Sequence, residues 1–185
     1  MNVRETINPE SWRENQNASE GGGNLLDLQP HLLSTALDWF GPAELVSSSI
    51  NSIRGRADDD TVLVLKHASG VDSYLSASTI IGSPGPRIRL IGDKGALIIS
   101  DLDPQESMLR NGLYPKGGVW GESTKSKAFI HRGDEITEYQ SVDGNYAQFY
   151  VQVKEALSGG SWPVSIDEAL NVAKIIDLAR QNSIR

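Results

Sequence analysis

Residues 61–81 read TVLVLKHASGVDSYLSASTII, and this stretch is the part of the sequence most informative about the fold. Apolar and hydroxyl-bearing residues fill two runs, 61–68 and 71–81, on either side of Ser69-Gly70. A turn this short joins antiparallel strands, because parallel neighbours need a crossover of a dozen or more residues. The stretch therefore predicts a β-hairpin.

The same composition continues on both sides of this hairpin. Further runs rich in Val, Ile, Leu, Ser and Thr, separated by short turns, predict five more strands at 44–54, 86–92, 95–100, 127–132 and 135–141. Because the connections are too short for parallel crossovers, we expect about seven strands in one predominantly antiparallel sheet.

Helices are predicted before and after the strands. Apolar residues spaced three and four apart predict a first long helix with Asp27 as its N-cap and a buried face of Leu25, Leu28, Leu32, Ala36 and Trp39 or Phe40. A second helix follows from Tyr146, and a third opens at Ser165 and Glu168, which have capping-box spacing. Strands in a block flanked by helices indicate an α+β fold, an open-faced antiparallel sheet with helices packed on one face.

The domain organisation is simple. Residues 1–20 are polar and predict an N-terminal arm with a short helix, because Ser11 and Glu14 also have capping-box spacing. The glycines at 21–23 then predict a hinge rather than a phosphate cradle, because neither dinucleotide nor P-loop spacing is present. We expect residues 21–185 to form a single domain.

Composition excludes several function classes. With 17 Lys and Arg against 24 Asp and Glu, the 185 residues carry a net charge of −7 and no basic footprint for nucleic acid or anionic lipid. The chain contains no cysteine, which excludes disulfides, thiolate nucleophiles and Cys-ligated zinc. Apolar runs are too short for a membrane span, and the polar first twenty residues do not read as a secretory signal, so we expect a cytoplasmic protein.

One pair of residues is a candidate for acid–base chemistry. Asp27 and His31 lie four residues apart at the start of the first long helix, where their side chains share a face. A carboxylate that orients an imidazole makes a general acid or base. The alternative is that Asp27 only caps the helix and His31 is a satisfied, partly buried histidine.

Other polar and aromatic residues predict no site. The run 58–60, three aspartates, lacks the EF-hand pattern and predicts a solvated hairpin tip. His67 and His131 are placed at surface or cleft positions of strands, without metal-ligand spacing, so no metal is expected. Three of the four tryptophans, Trp12, Trp39 and Trp162, are expected to fill core or helix–sheet contacts. The fourth, Trp120 in a glycine-rich loop, is expected to line a pocket or an interface.

Residues 21–41, GGGNLLDLQPHLLSTALDWFG, closely resemble the start of the C-terminal domain of the glucose-fructose oxidoreductase and inositol dehydrogenase family, Gfo/Idh/MocA. Four later segments recur in the same order in that family: Ile91-Gly-Asp-Lys-Gly95, Asp101-Leu-Asp-Pro-Gln-Glu106, Asp143-Gly-Asn-Tyr146 through Tyr150, and Pro163-Val-Ser165. The resemblance covers nearly the whole chain.

The resemblance implies a function. Family members pair an N-terminal Rossmann domain, which holds NAD or NADP, with a C-terminal α+β domain that completes a sugar or polyol site and forms oligomers through its open sheet. Asp27 and His31 match the family's substrate-binding block, in which the histidine also relays the proton. The family's catalytic lysine and dinucleotide fingerprint have no counterpart in these 185 residues, so we expect no nucleotide to bind this chain alone.

Two positions depart from the family pattern. Ser34 stands where many members have an aspartate, and Gln29, where a small residue is usual, is expected to narrow the pocket.

We therefore expect the substrate-binding and oligomerisation domain of an NAD(P)-dependent sugar or polyol oxidoreductase, which forms a homodimer through its sheet face and does not turn over alone. The alternative is a free-standing, non-catalytic assembly or ligand-binding module of the same fold.

Overall fold

A computed structural model describes residues 7–83, 85–101, 105–114, 127–140 and 144–182. The chain gathers into two compact units. The first unit contains the residues up to Gly82 and those from Val164 onward, and the second contains Ser83 to Pro163.

The first unit is a three-stranded antiparallel sheet with helices against it. Its strands, in spatial order, are β1 (Ala43–Asn51), β2 (Asp60–His67) and β3 (Asp72–Ser78). Before them come α1 (Trp12–Asn15), a 3₁₀ turn (Ala18–Glu20), α2 (Asn24–Asp27) and α3 (Gln29–Phe40), and the unit closes with α6 (Ile166–Gln181). The β2–β3 pairing is the hairpin predicted from residues 61–81.

The core of this unit lies between the central strand and the helices. Alternation along β2 buries Leu63 and Leu65 completely, because successive side chains of a strand point to opposite faces. They pack in one cluster with five further buried apolar residues, which are Leu25, Leu33, Ile175, Ile176 and Ala179. The side chains of Val62 and Val64 belong to the opposite face of the sheet.

The second unit is a four-stranded antiparallel sheet with two helices. The strands, again in spatial order, are β4 (Ile88–Gly92), β5 (Gly95–Ile99), β6 (Lys127–Arg132) and β7 (Glu135–Gln140). The helices are α4 (Gln105–Arg110) and α5 (Tyr146–Leu157). The backbone N–H of Tyr146 donates to Oε1 of the buried Gln105 at 2.8 Å, which joins the two helices.

The predicted α+β class with antiparallel strands is confirmed, but the expectation of one continuous sheet is wrong. In the described residues the strands form two separate hydrogen-bonded sheets, and the break falls between β3 and β4. The sequence there contains Pro84 and Pro86, which lack the backbone N–H that a ladder needs.

The first long helix begins differently from the prediction. Helical structure starts at Asn24, breaks at Leu28 and resumes as α3 at Gln29. Pro30 lies in the first turn of α3 and has no N–H to continue the bonding from the preceding turn. The buried residues of α3 are Gln29, Leu33 and Ala36. Of the predicted row, Leu25 and Ala36 are confirmed as buried, whereas Leu28 and Leu32 are only half-buried.

Two further expectations are wrong. A core position is wrong for Trp12, Trp39 and Trp162, since each is about half exposed. Trp120 lies outside the described residues. The glycines at 21–23 do not form a free hinge, because Gly22 and Gly23 are buried in a packed turn. Among the described residues, no helix is both long and apolar enough to cross a bilayer.

Candidate functional site

Asp27 is the last residue of α2, and its carboxylate is paired with α1. The Nε–H of Arg13 donates to Oδ2 of Asp27, whose side chain is 18 % exposed. Asp27 does not cap α3 as predicted, because the N-cap position is occupied by Leu28. The carboxylate is instead held by a guanidinium from a different helix.

His31 lies one helical turn after Asp27, near the start of α3, and is exposed. Its carbonyl oxygen accepts a hydrogen bond from Oγ1 of Thr35 at 2.9 Å, but its ring has no hydrogen-bond partner within the described parts of the chain. No hydrogen bond joins Asp27 to the imidazole among those residues either. Both predicted site residues thus lie at the α2–α3 junction, with the imidazole accessible from outside.

Asp58 fixes the start of α2. Its Oδ2 accepts a 2.7 Å hydrogen bond from the backbone N–H of Leu25, and its carbonyl oxygen accepts one of 3.0 Å from Asn24. Gly23 is required here, since it has a φ of +101° and a Cβ at this position would lie 2.0 Å from Oδ1 of Asp58. A residue distant in sequence therefore supplies the N-terminal cap that α2 does not have locally.

The pKa of Asp58 is raised above its usual value because burial disfavours the charged form. The backbone hydrogen bond from Leu25 acts in the opposite direction and lowers it. Asp58 and Asp59 are only 7 % and 3 % exposed, so the prediction of a solvated hairpin tip is wrong. The carboxylate of Asp58 is bonded to the start of α2, and that of Asp59 to Ile53 and Arg54. The local aspartate run does not reveal these partners.

A buried ionic network anchors α1 beside this turn. Asp59 accepts from the backbone N–H of Ile53 at 2.8 Å and from Nε of Arg54 at 3.0 Å. Arg54 also binds Oε2 of Glu14 at 2.9 Å and Oγ1 of Thr79 at 3.0 Å. The side chains of Arg54, Glu14 and Asp59 are 7 %, 9 % and 4 % exposed. The network holds α1, and with it Arg13, against the first unit.

Two buried amides tie the helix junction to the sheet. Nδ2 of Asn24 donates to the carbonyl of Asp59 at 2.8 Å, and Nε2 of Gln29 donates to Oγ1 of Thr61 at 3.0 Å and to the carbonyl of Leu75 at 3.1 Å. Gln29 is completely buried against the sheet, so the expectation that it narrows a pocket is wrong. Only a long side chain with an amide reaches both neighbouring strands from this position.

The other histidine of this unit is structural. His67 is 2 % exposed, with Nδ1 2.8 Å from the carbonyl oxygen of Gly41 and Nε2 2.9 Å from Oγ of Ser73. The predicted surface or cleft position is wrong for His67, because both of its ring nitrogens are used between the end of α3 and the sheet. Within the described ranges, no group of three or more His, Asp or Glu side chains is placed to hold a metal ion.

The glycine turn at 21–23 does not fit a dinucleotide. The glycine run leads into α2, but the helix's first N–H groups already bind Asp58, and its carboxylate fills the space at Gly23. A pyrophosphate would need those donors and that space. Any nicotinamide cofactor therefore has to be bound by residues outside this glycine turn.

Comparison with known proteins identifies the class to which this fold and helix junction belong. A family model described as the GFO/IDH/MocA C-terminal domain matches residues 2–98, and the chain belongs to this family. The resemblance inferred from residues 21–41 is thereby confirmed.

The chain is also similar in sequence and structure to individual oxidoreductases. The chain is 30 % identical over 180 residues to scyllo-inositol 2-dehydrogenase (NADP(+)) IolW of Bacillus subtilis, covering 93 % of this chain and 49 % of the relative. It is 28 % identical over 177 residues to the uncharacterized oxidoreductase YdgJ of Escherichia coli, covering 93 % and 51 %. A solved structure from Klebsiella pneumoniae is 28 % identical, with a TM-score of 0.83, and the match covers 98 % of this chain and 50 % of that one. The chain thus spans about half the length of these relatives.

Proposed function

We propose that this chain is the substrate-binding and oligomerisation part of an NAD(P)-dependent oxidoreductase that acts on a sugar or polyol. Family membership supports the oxidoreductase class, and the name of the IolW relative supports a polyol. NAD or NADP would be bound by an N-terminal Rossmann domain, because the glycine turn of this chain is filled by Asp58. In this proposal the two compact units are parts of the single domain predicted over residues 21–185.

The observation that carries the proposal is the arrangement of Asp27 and His31. The carboxylate is held in place by Arg13, and the imidazole one turn later is exposed and has no hydrogen-bond partner in the described residues. A fixed carboxylate accepts a hydrogen bond from a substrate hydroxyl, and an open imidazole can take the proton that an alcohol loses when it becomes a carbonyl. We assign these two roles to Asp27 and His31 respectively.

The arrangement also accommodates Ser34. This residue is exposed on α3, three positions after His31. A serine hydroxyl does not ionise as a carboxylate does, so in this proposal the proton passes to His31 and not to residue 34.

The test is a titration of the full chain with scyllo-inositol and a panel of sugars, with and without an added dinucleotide-binding domain. We expect His31→Ala and Asp27→Asn each to weaken binding about tenfold, the usual effect of losing one hydrogen bond to a charged or polar partner. His131→Ala is the matched control, because it removes another imidazole, on β6, to which the family resemblance assigns no role. It should bind as the unaltered chain does.

Two results would overturn the proposal. One is the absence of binding to any member of the panel under either condition, which favours a non-catalytic assembly module. The other is equal weakening by His131→Ala and His31→Ala, which would mean that the effect is not specific to the helix junction.

We also propose that the chain forms a homo-oligomer through its sheet face. On the face of the first sheet opposite the core, Val64 pairs directly with Tyr74, which is 74 % exposed. An apolar row on an open sheet face is commonly covered by another protein surface. Light scattering on the titrated samples gives the mass directly, and a mass of one 20.1 kDa chain at all concentrations would contradict the proposal.

A further inference from the structure

Arg13 has donors that the fold does not use. Its Nε–H is bonded to Asp27, and its side chain is 37 % exposed. The two terminal nitrogens of a guanidinium carry four further N–H groups, and within the described residues these have no hydrogen-bond partner. The exposed edge of the guanidinium is therefore free to bind a ligand beside the Asp27 carboxylate.

The position of α1 does not depend on the side chain of Arg13. Glu14 binds the buried Arg54, and Asn15 accepts from Arg56. The backbone carbonyl of Arg13 accepts from the N–H of Gly23 at 2.9 Å, a contact that any residue could make. The arm is thus anchored through other groups, and the ion pair of Arg13 with Asp27 is not needed to hold it.

An aromatic ring adjoins the guanidinium on its other side. The Cζ atom of Arg13 lies 5.8 Å from the ring centroid of Trp12, within the range of a cation–π contact. Trp12 is half exposed. Indole ring, guanidinium and carboxylate therefore follow one another, and His31 lies one helical turn beyond the carboxylate.

We propose that Arg13 is a substrate-binding residue and that Arg13 and Asp27 together recognise two adjacent hydroxyl groups of a polyol. This inference rests on the proposed function and narrows its substrate class to vicinal diols. A carboxylate only accepts hydrogen bonds and a guanidinium only donates them, whereas a hydroxyl does both. One hydroxyl donates to Asp27 while its neighbour accepts from Arg13, so the adjacent acceptor and donor match a vicinal diol.

The same arrangement disfavours other alcohols. A simple alcohol offers one hydroxyl, so it leaves either the carboxylate or the guanidinium without a hydrogen bond to the ligand. A diol with separated hydroxyls presents its two oxygens at a wider spacing than a vicinal diol, so we expect it to satisfy the two groups less well. Hydrogen bonds to charged groups are stronger than those between neutral groups. The loss of one such bond should therefore be the main reason that other alcohols bind more weakly than vicinal diols.

The test compares two isomeric diols together with scyllo-inositol. Saturation-transfer NMR titrations would measure the Kd of the full chain for trans-cyclohexane-1,2-diol, for the trans-1,3 isomer and for scyllo-inositol. We expect tighter binding of the 1,2-diol than of the 1,3-diol. Arg13→Gln should weaken scyllo-inositol binding about tenfold and remove the preference between the diols, because it loses the charged fork.

Two further variants separate recognition from structure. Arg13→Lys keeps the charge but not the planar fork, and it should retain part of the preference. Arg56→Gln is the matched control, since it removes another arginine contact to the same arm; it should leave the preference unchanged. If Arg13 were only structural, Arg13→Gln would weaken both diols equally and the preference would persist.

The outcomes distinguish this inference from the proposed function. If the unaltered chain binds scyllo-inositol and Arg13→Gln binds it within twofold, the role of Arg13 is wrong while the polyol site stands. If the unaltered chain binds members of the sugar panel but none of these three ligands, or binds the two diols equally, this inference is wrong while the proposed function stands. If it binds neither the panel nor these ligands, with or without the added dinucleotide-binding domain, both proposals are wrong. Loss of the diol preference in Arg13→Gln, with the preference kept in Arg56→Gln, would support the inference.

Discussion

The start of α1 and the start of α6 carry the same Ser-x-x-Glu motif, but only one of them forms a capping box. At α6 the backbone N–H of Ser165 donates to Oε2 of Glu168 at 2.7 Å, and the N–H of Glu168 donates to Oγ of Ser165 at 3.2 Å. At α1 the side chain of Ser11 makes no capping hydrogen bond. The predicted box is therefore confirmed at α6 and wrong at α1.

The difference comes from what surrounds each glutamate. Glu168 is exposed, so its nearest partner is the helix terminus itself. Glu14 lies 2.9 Å from the buried guanidinium of Arg54 and accepts from the backbone N–H of Asn8 at 3.1 Å. Leaving a buried charge unpaired costs several kcal/mol, about three times the typical contribution of a helix cap. The Glu14 carboxylate therefore pairs with Arg54 instead of capping α1.

The largest expected effect comes from breaking the network at α1. Arg54→Met should destabilise the chain by about 3 to 5 kcal/mol, because Glu14 and Asp59 would remain buried without their cation. Urea unfolding followed by circular dichroism would measure the loss. Arg56→Met, an exposed arginine two residues later, is the control and should change stability by less than about 0.5 kcal/mol. If Arg54→Met lowered the free energy of unfolding by less than about 1 kcal/mol, the ion pair would not explain why Glu14 leaves the start of α1 uncapped.

A smaller effect tests the two serines directly. Ser165→Ala should cost about 1 kcal/mol, because it removes the side-chain acceptor for the N–H of Glu168. Ser11→Ala should cost less than about 0.5 kcal/mol, because Ser11 caps nothing. Urea midpoints of the two variants give the comparison. Equal losses would contradict the contrast between the two motifs.

The smallest effect is a difference in pH dependence between two carboxylates at helix starts. Burial raises the pKa of Asp58, so the folded state holds its proton more tightly than the unfolded state. Its contribution to stability is full below the unfolded pKa and is lost as pH rises through the raised folded pKa. The hydrogen bond from the backbone N–H of Ser165 lowers the pKa of Glu168, so its contribution is present above the unfolded pKa and is lost as pH falls through the lowered value.

Urea midpoints measured from about pH 7 down to about pH 3 would show the two signs, since both carboxyl groups titrate near or within this range. Relative to Asp58→Asn, the unaltered chain should gain stability as pH falls. Relative to Glu168→Gln, it should lose stability over the acid part of the range. If the stability difference changed with pH in the same direction for Asp58→Asn and for Glu168→Gln, the opposite pKa shifts assigned to Asp58 and Glu168 would be contradicted.

The strands were largely predictable from sequence. Alternation in 61–68 and the turn at Ser69-Gly70 specify a hairpin whatever surrounds it, and the structure has that hairpin. The separation into two sheets was not predictable in the same way, since it depends on which strands pair across the segment that contains Pro84 and Pro86. Local patterns indicate where strands are, whereas the pairing of strands depends on contacts between residues distant in sequence.

The candidate site was predictable only in part. Asp27 and His31 were recognised from their spacing and from the family resemblance, but Arg13 was not, because it reaches Asp27 across 14 positions of sequence. Three consecutive aspartates predict a solvated turn, whereas the structure buries Asp58. Its burial arises when the backbone N–H of Leu25 and the turn at Gly23 close over it.

The α+β class and most strand and helix segments follow from local periodicity and turn chemistry, which act over a few positions. The family follows from the resemblance of residues 21–41, and the candidate pair Asp27 and His31 from that resemblance together with their spacing. The tertiary structure decided which polar groups are buried and with whom they pair: Asp58 with α2, Glu14 with Arg54, and Asp27 with Arg13. Burial decides these pairings, because a polar or charged group removed from water must bind the nearest complementary group, wherever in the sequence that group lies.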